Sequence, residues 1–317
     1  MMMMGGRAAM LRYGAVGARP VLQMDLAQYD QQTRGMATLK ELKLRIKSVS
    51  SIQKITKSMK LVATTRLKKA EDAFEKNKVS LNTLDHHLDL IRKDSDADTS
   101  AASGKELVAC LTSERGLCGS VNSSITRAMK KLTQERTEKN ADVNYVLFGN
   151  KAVQVLVRDA GTKGLFSAKD IGGRNGVKFA DVLPLADRLA QAEFDHGILV
   201  RNVFVNLLTF NTVECPLYSR TQFLNLAAES FEFDSGIKED TLANLHQWYM
   251  AVSLFSYFTE NNCIEIGQRM TSMDNATKNA GELIQKLTMQ FNRRRQAAIT
   301  TEITEIVSGA AALEDME

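Results

Sequence analysis

The residues best able to hold a metal or act as nucleophiles in this 317-residue chain are four cysteines, Cys110, Cys118, Cys215 and Cys263, and four histidines. Their spacing argues against either use. The cysteines form no CxxC pair, His86 and His87 are adjacent, and His196 and His246 stand alone. HExxH and GxSxG patterns are absent, as is the GxxxxGK[ST] cradle for phosphate. Gly172-Gly173-Arg174-Asn175-Gly176 is glycine-rich but has no Lys-Ser or Lys-Thr pair and reads as a surface turn. The stretch Thr112-Ser113-Glu114-Arg115-Gly116-Leu117-Cys118-Gly119 follows the first predicted strand and precedes a helix, where a dinucleotide fold places its ligand loop. It carries two glycines and an arginine in place of three glycines, and two readings stand: a tight structural loop or a docking surface. No catalytic residue, cofactor or metal is therefore expected. If the chain takes part in nucleotide chemistry, another chain supplies the pocket.

Composition narrows the class. Apolar residues make up 44% and charged residues 25%, with three prolines, Pro20, Pro184 and Pro216, so long proline-free helices are open to the backbone. The sparse cysteines suit a reducing compartment, and Cys110, inside an apolar run, reads as a core residue. A net charge of +4 does not diagnose nucleic-acid binding, but its distribution is informative. Thr38 to Lys78 holds twelve basic and four acidic residues, and the acidic stretch His86 to Asp98 follows. The first 24 residues contain Arg7, Arg12 and Arg19 and no acid, the composition of an organellar import presequence; an ordinary N-terminus is the alternative. No later apolar run reaches the roughly eighteen residues of a membrane span.

Periodicity supplies the elements that must position these residues. Leu39, Leu42, Ile46, Val49, Ile52, Ile55, Met59 and Val62 recur at helical spacing, and Thr38 with Glu41 forms a capping-box pattern. Leu67, Ala70, Phe74, Asn77, Leu81, Leu84, Leu88 and Ile91 continue in alternating steps of three and four. Such a helix is roughly 80 Å long. Ile266, Met270, Met273, Thr277, Ala280, Ile284, Leu287, Phe291, Arg294 and Ala298 keep the same steps in a helix expected from about Lys238 to Leu313. The two helices most simply pair antiparallel. Between them, strands are predicted at Glu106–Thr112, Val143–Phe148, Ile198–Asn202 and Val203–Phe210, and helices at Ser123–Glu138, Asn150–Ala160 and Val182–Phe194. The expected fold is α/β: a long antiparallel coiled coil of N- and C-terminal helices with an inserted Rossmann-like α/β domain. Asp94 to Gly104 leads into the insert, and Asp234-Ser235-Gly236 leads out. The expected segments are a presequence and leader over 1–36, the first helix over 37–93, the insert over 94–237 and the last helix over 238–317.

Three stretches together resemble the gamma subunits of F-type ATP synthase. They are Ile55-Thr56-Lys57-Ser58-Met59-Lys60-Leu61-Val62-Ala63, then Glu114-Arg115-Gly116-Leu117-Cys118-Gly119, and Asn292 to Leu313, which contains Arg295-Gln296-Ala297-Ala298-Ile299-Thr300. The likeness covers about Ala37 to Leu313. Glu114, Ser120, Arg294 and Thr301 depart from the usual residues of that family. The regulatory insertion of chloroplast relatives is missing, which with the presequence-like start favours a mitochondrial, inner-membrane-associated member.

The resemblance implies a non-catalytic rotor shaft inside a hexamer of alpha and beta subunits, with an insert that meets delta and epsilon subunits and the membrane c-subunit ring. It also implies contact residues. Arg295 and Gln296 resemble the family's contacts with a beta-subunit loop, with Arg293 and Arg294 as neighbours in a cationic ring; the alternative is a merely solvated arginine run. Lys54, Lys57, Lys60 and Lys68 would face acidic beta loops. Met59 fits a position that faces a beta subunit, or is an ordinary seam residue. Glu302 and Glu305 would pair across the helix seam or meet the stator. A free-standing coiled-coil scaffold and a basic-helix nucleic-acid binder are the competing classes, although no aromatic residues interleave the lysines.

Overall fold

The computed structural model describes residues 38–94, 104–139, 141–159, 164–172, 176–230 and 239–314. The presequence-like segment, the lead-in over 95–103 and the Asp234-Ser235-Gly236 exit lie outside the described residues. So do the side chains of Leu81, Leu84, Leu88 and Ile91. The chain divides into two compact units, Ser51–Glu282 and the combination of Met1–Ser50 with Leu283–Glu317.

Two long helices supply both units: α1, Leu39–Asp94, of 56 residues, and the last helix, Glu239–Glu314, of 76. The capping box forms as the sequence predicts. Thr38 N–H donates to Glu41 Oε2 at 2.8 Å and Glu41 N–H donates to Thr38 Oγ1 at 3.3 Å, so two backbone donors at the start of α1 are satisfied.

Within Ser51–Glu282, between the long helices, stand β1 (Glu106–Leu111), α2 (Val121–Glu138), β2 (Val143–Phe148), α3 (Asn150–Asp159), β3 (Gly164–Ala168), α4 (Phe179–Ala190), β4 (His196–Phe204), β5 (Phe210–Leu217) and α5 (Arg220–Ser230); the last helix is α6. The strands form one sheet in the order β3-β2-β1-β4-β5. β1 runs parallel to β2 and β4, β2 parallel to β3, and β5 antiparallel to β4. Central β1 explains its own sequence: a strand covered on both faces has no reason to alternate polar and apolar residues. Leu107, Ala109 and Leu111 face Val182, Ala186 and Leu189 of α4 and Met250, Leu254 and Phe258 of α6. Val108 and Cys110 face Ile125, Met129 and Leu132 of α2 and Ala152 and Leu156 of α3. Burial pushes the Cys110 thiol up to about 12. The turns of α6 from Tyr249 to Phe258 thus form part of the core of the sheet.

Two sequence expectations are corrected here. The apolar run Val203–Phe210 is not a strand: β4 continues to Phe204, and the chain then bends. The Asn206 carboxamide oxygen accepts the N–H groups of Leu208 and Thr209 at 2.9 and 2.8 Å, so Asx-turn chemistry overrides the apolar run. In α1, Ile52, Ile55 and Val62 are exposed. In the Ser51–Glu282 unit the inward positions are instead Gln53, Thr56, Lys60, Ala63, Leu67 and Ala70, with Phe74 and Asn77 half-buried. Hydrogen bonds fix that register. Thr277 Oγ1 donates to Thr56 Oγ1 at 2.8 Å, Lys60 Nζ reaches Asp274 at 2.6 Å, and Asn77 Nδ2 donates to Thr259 Oγ1 at 3.2 Å. The partner numbers fall as the α1 numbers rise, so the helices pair antiparallel within this unit. The apolar series loses the seam because successive steps of three each turn it by about 60°. The α6 side matches expectation, with Met273, Ala280 and Leu287 buried and Thr277, Ile284, Phe291, Arg294 and Ala298 half-buried.

His246 of α6 is buried, and its Nε2 lies 3.0 Å from the Tyr218 carbonyl. Burial holds its pKa below the usual histidine value, with the Tyr218 hydrogen bond opposing and Arg220 adding to the depression. The unfolded chain therefore binds a proton near pH 6.5 that the folded chain resists. Stability is expected to fall as pH drops below about 6.5. His246→Gln is expected to flatten that slope in thermal unfolding midpoints measured between about pH 7 and 5.

Candidate partner-binding surfaces

The Thr112 to Gly119 loop is built to hold its position. Thr112 Oγ1 donates to the Phe148 carbonyl at 3.0 Å and accepts Ala152 N–H at 2.9 Å. Ser113 N–H donates to Asn122 Oδ1 at 2.9 Å. The Glu114 carboxylate accepts the N–H groups of Asn150 and Ile171 at 3.3 and 3.5 Å, so the start of α3, where a fold of this type would receive an anion, already holds one of the chain's own. Arg269 of α6 donates to the Gly116 carbonyl at 3.2 Å and is paired with Glu265 one turn away. Gly119 has φ +62°, a conformation that favours glycine, and a Cβ there would stand 3.1 Å from Ser272 Oγ on α6, which would have to shift slightly. Of the two sequence readings, the hydrogen bonds support the structural loop, while Arg115 and Leu117 remain exposed on it.

The residues singled out on α1 separate by environment. Lys54, Lys57 and Lys68 are exposed, Met59 is half-buried, and Lys60 is engaged by Asp274. That carboxyl is held below its usual range by hydrogen bonds from Lys60 and then Lys278. Ile52, Ile55 and Val62, placed on the periodic face by the sequence, lie uncovered together with Leu61 near the lysines in sequence, an apolar and cationic surface. Departure of these residues from the strict three-and-four step was the signal available.

In the unit formed by the chain ends, Leu42, Val49 and Leu287 are buried. Arg293, Arg295 and Gln296 are exposed, whereas Arg294 is half-buried at a seam position. Glu302 and Glu305 are exposed and form no ion pair with a described residue. Interleaved with them, Ile299, Ile303, Ile306 and Val307 are uncovered at helical spacing, with Ile306 at 71% exposure. An apolar stripe beside a cationic turn suits burial by a partner, because water otherwise meets apolar surface at about 25 cal/mol per Å2.

Terminal helices paired within Ser51–Glu282, an α/β module whose sheet is covered by one of them, and uncovered faces on both define a helical and α/β protein suited to contact with other chains. Residues 38–313 match the family described as ATP synthase. The mitochondrial ATP synthase F(1) complex subunit gamma of Rattus norvegicus is 37% identical over 280 residues, covering 88% of this chain and 100% of that protein. The ATP synthase gamma chain of Rhizorhabdus wittichii is 39% identical over 300 residues, with 88% and 100% covered. A chain in the central stalk and c-ring structure of Tetrahymena thermophila mitochondrial ATP synthase matches with TM-score 0.57 and 27% identity, over 70% of this chain and 99% of that one. The chain belongs to the gamma-subunit family of F-type ATP synthase, the non-catalytic central-stalk component.

Proposed function

We propose that this chain is the central rotor stalk of a mitochondrial F-type ATP synthase, peripheral on the matrix side of the inner membrane. Proton-driven rotation of the c-subunit ring turns it, and its asymmetric faces drive three beta subunits through their binding and release states. The observation that carries this reading is the exposed Arg293, Arg295 and Gln296 turn, followed by an apolar stripe that no described residue covers. Arg295 and Gln296 grip a beta-subunit loop, with the guanidinium fork on a carboxylate. Lys54, Lys57 and Lys68 track acidic loops, Lys60 does so only if it leaves Asp274, and Met59 offers a sliding contact. Glu302 and Glu305, free of intrachain ion pairs among the described residues, meet the surrounding subunits. The inserted domain, taken as 94–237, contacts delta and epsilon subunits and the ring; the last helix is taken as 238–317, the first as 37–93, and 1–36 as presequence and leader.

Arg295→Ala tests the grip. Loss of a charge-assisted contact is expected to lower ATP synthesis by the reconstituted complex about tenfold, with the urea midpoint of the chain itself unchanged. Unaltered synthesis would remove Arg295 from the coupling surface.

A further inference from the structure

At the carboxyl ends of the parallel strands, within Ser51–Glu282, lies a cavity of about 350 Å3. Its ionisable lining comprises Arg66 and Lys69 of α1, Glu114 and Arg115 of the β1–α2 loop, and Glu265 and Arg269 of α6. The two signs of charge are not used alike. Both Glu114 oxygens are spent on the N–H groups of Asn150 and Ile171, and Glu265 is spent on Arg269. Burial, opposed by Arg269, pushes the Glu265 carboxyl up, toward its uncharged form. Arg66, Lys69 and Arg115 are exposed, and none forms a salt bridge with a described residue.

Four cations against two carboxylates leave the concavity with an excess of positive charge, which focuses a positive potential into it. A single carboxylate answers one guanidinium fork. A chain of linked phosphates places several oxyanions within one cavity and answers cations arriving from two separate elements. The size is right for such a chain and the walls are mixed polar and apolar, with Ala70, Ala73, Ile171 and Val177 beside the charges. We propose that this cavity binds a polyphosphate anion, either free or as the phosphate tail of a nucleotide. Catalysis is not part of the proposal; the lining lies within one unit of the chain, and a binding test on the chain alone does not depend on the rotor reading.

Isothermal titration of the full chain with sodium tripolyphosphate, and separately with magnesium-free ATP, tests it. One site per chain is expected. Arg115→Ala, and Arg66→Ala combined with Lys69→Ala, should each weaken tripolyphosphate binding about tenfold, the cost of a lost charge-assisted contact. Lys40→Ala with Lys43→Ala, exposed lysines outside the cavity, should change it by less than about twofold. Equal affinity for the two probes supports recognition of the phosphate chain alone, and tighter ATP binding supports a nucleotide tail. Absence of binding by both probes overturns the proposal. So does an equal loss in the Lys40 and Lys43 variant, or a response to an oligo-aspartate peptide with none to tripolyphosphate.

Discussion

Glu260→Gln is expected to cost the full chain about 3–5 kcal/mol of unfolding free energy, because it leaves a buried guanidinium without its counter-charge. Arg201 of β4 and Glu260 of α6 are 8% and 5% exposed and meet at 2.5 Å. The second Glu260 oxygen accepts Phe204 N–H at 2.8 Å. Arg201 Nε donates to Cys215 Sγ at 3.1 Å, and its guanidinium carbon lies 4.1 Å from the centre of the Tyr257 ring. Burial is the largest influence on Arg201 and would lower its pKa, but Glu260, Cys215 and Tyr257 together outweigh it and the net direction is upward, so the cation does not escape by giving up its proton. Glutamine keeps the shape and the acceptor for Phe204, which isolates the loss of charge. Urea unfolding followed by circular dichroism measures the effect, and a change under about 1 kcal/mol would show that water or rearrangement relieves the arginine. Replacing both partners by methionine should cost less than the single change.

Phe258→Ala should destabilise by a similar amount, about 3–5 kcal/mol, through transfer and cavity costs instead of charge. Phe258 lies two residues before Glu260 on α6, is buried, and meets Phe148 of β2 edge-on with ring centres 5.5 Å apart. The alanine variant opens a hole between the sheet and α6. Phe258→Leu fills much of that hole and is expected to cost less than about 1.5 kcal/mol. Equal effects of leucine and alanine in the same urea titration would show that the ring does not pack as described.

Both long helices were legible because their signals are local and repeated. Thr38 and Glu41 mark a start by hydrogen-bond chemistry, and Ile266 to Ala298 hold one face over many turns. β1 and β2 were legible as short apolar runs between polar segments. Other features depended on neighbours that a single chain read in one dimension does not name. The turn at Asn206 competes with a run that looks equally strand-like. β3 is five residues with weak alternation and was missed, as was α5, whose apolar and polar residues follow no single face. Ile52, Ile55 and Val62 look like seam residues until the hydrogen bonds of Thr56, Lys60 and Thr277 set the register. The arginine and lysine candidates were recognised through family resemblance, whereas the Arg201–Glu260 clasp had no sequence signal at all: its partners are 59 positions apart.

The turns of α6 from Tyr249 to Phe258 are at once helix and inner wall of the sheet. A joint of this kind has no separate rivet to work loose. Load applied to the strands is spread over several side chains together, and slippage would require wetting the whole interior at one stroke. Such a joint is expected to yield all at once and not residue by residue.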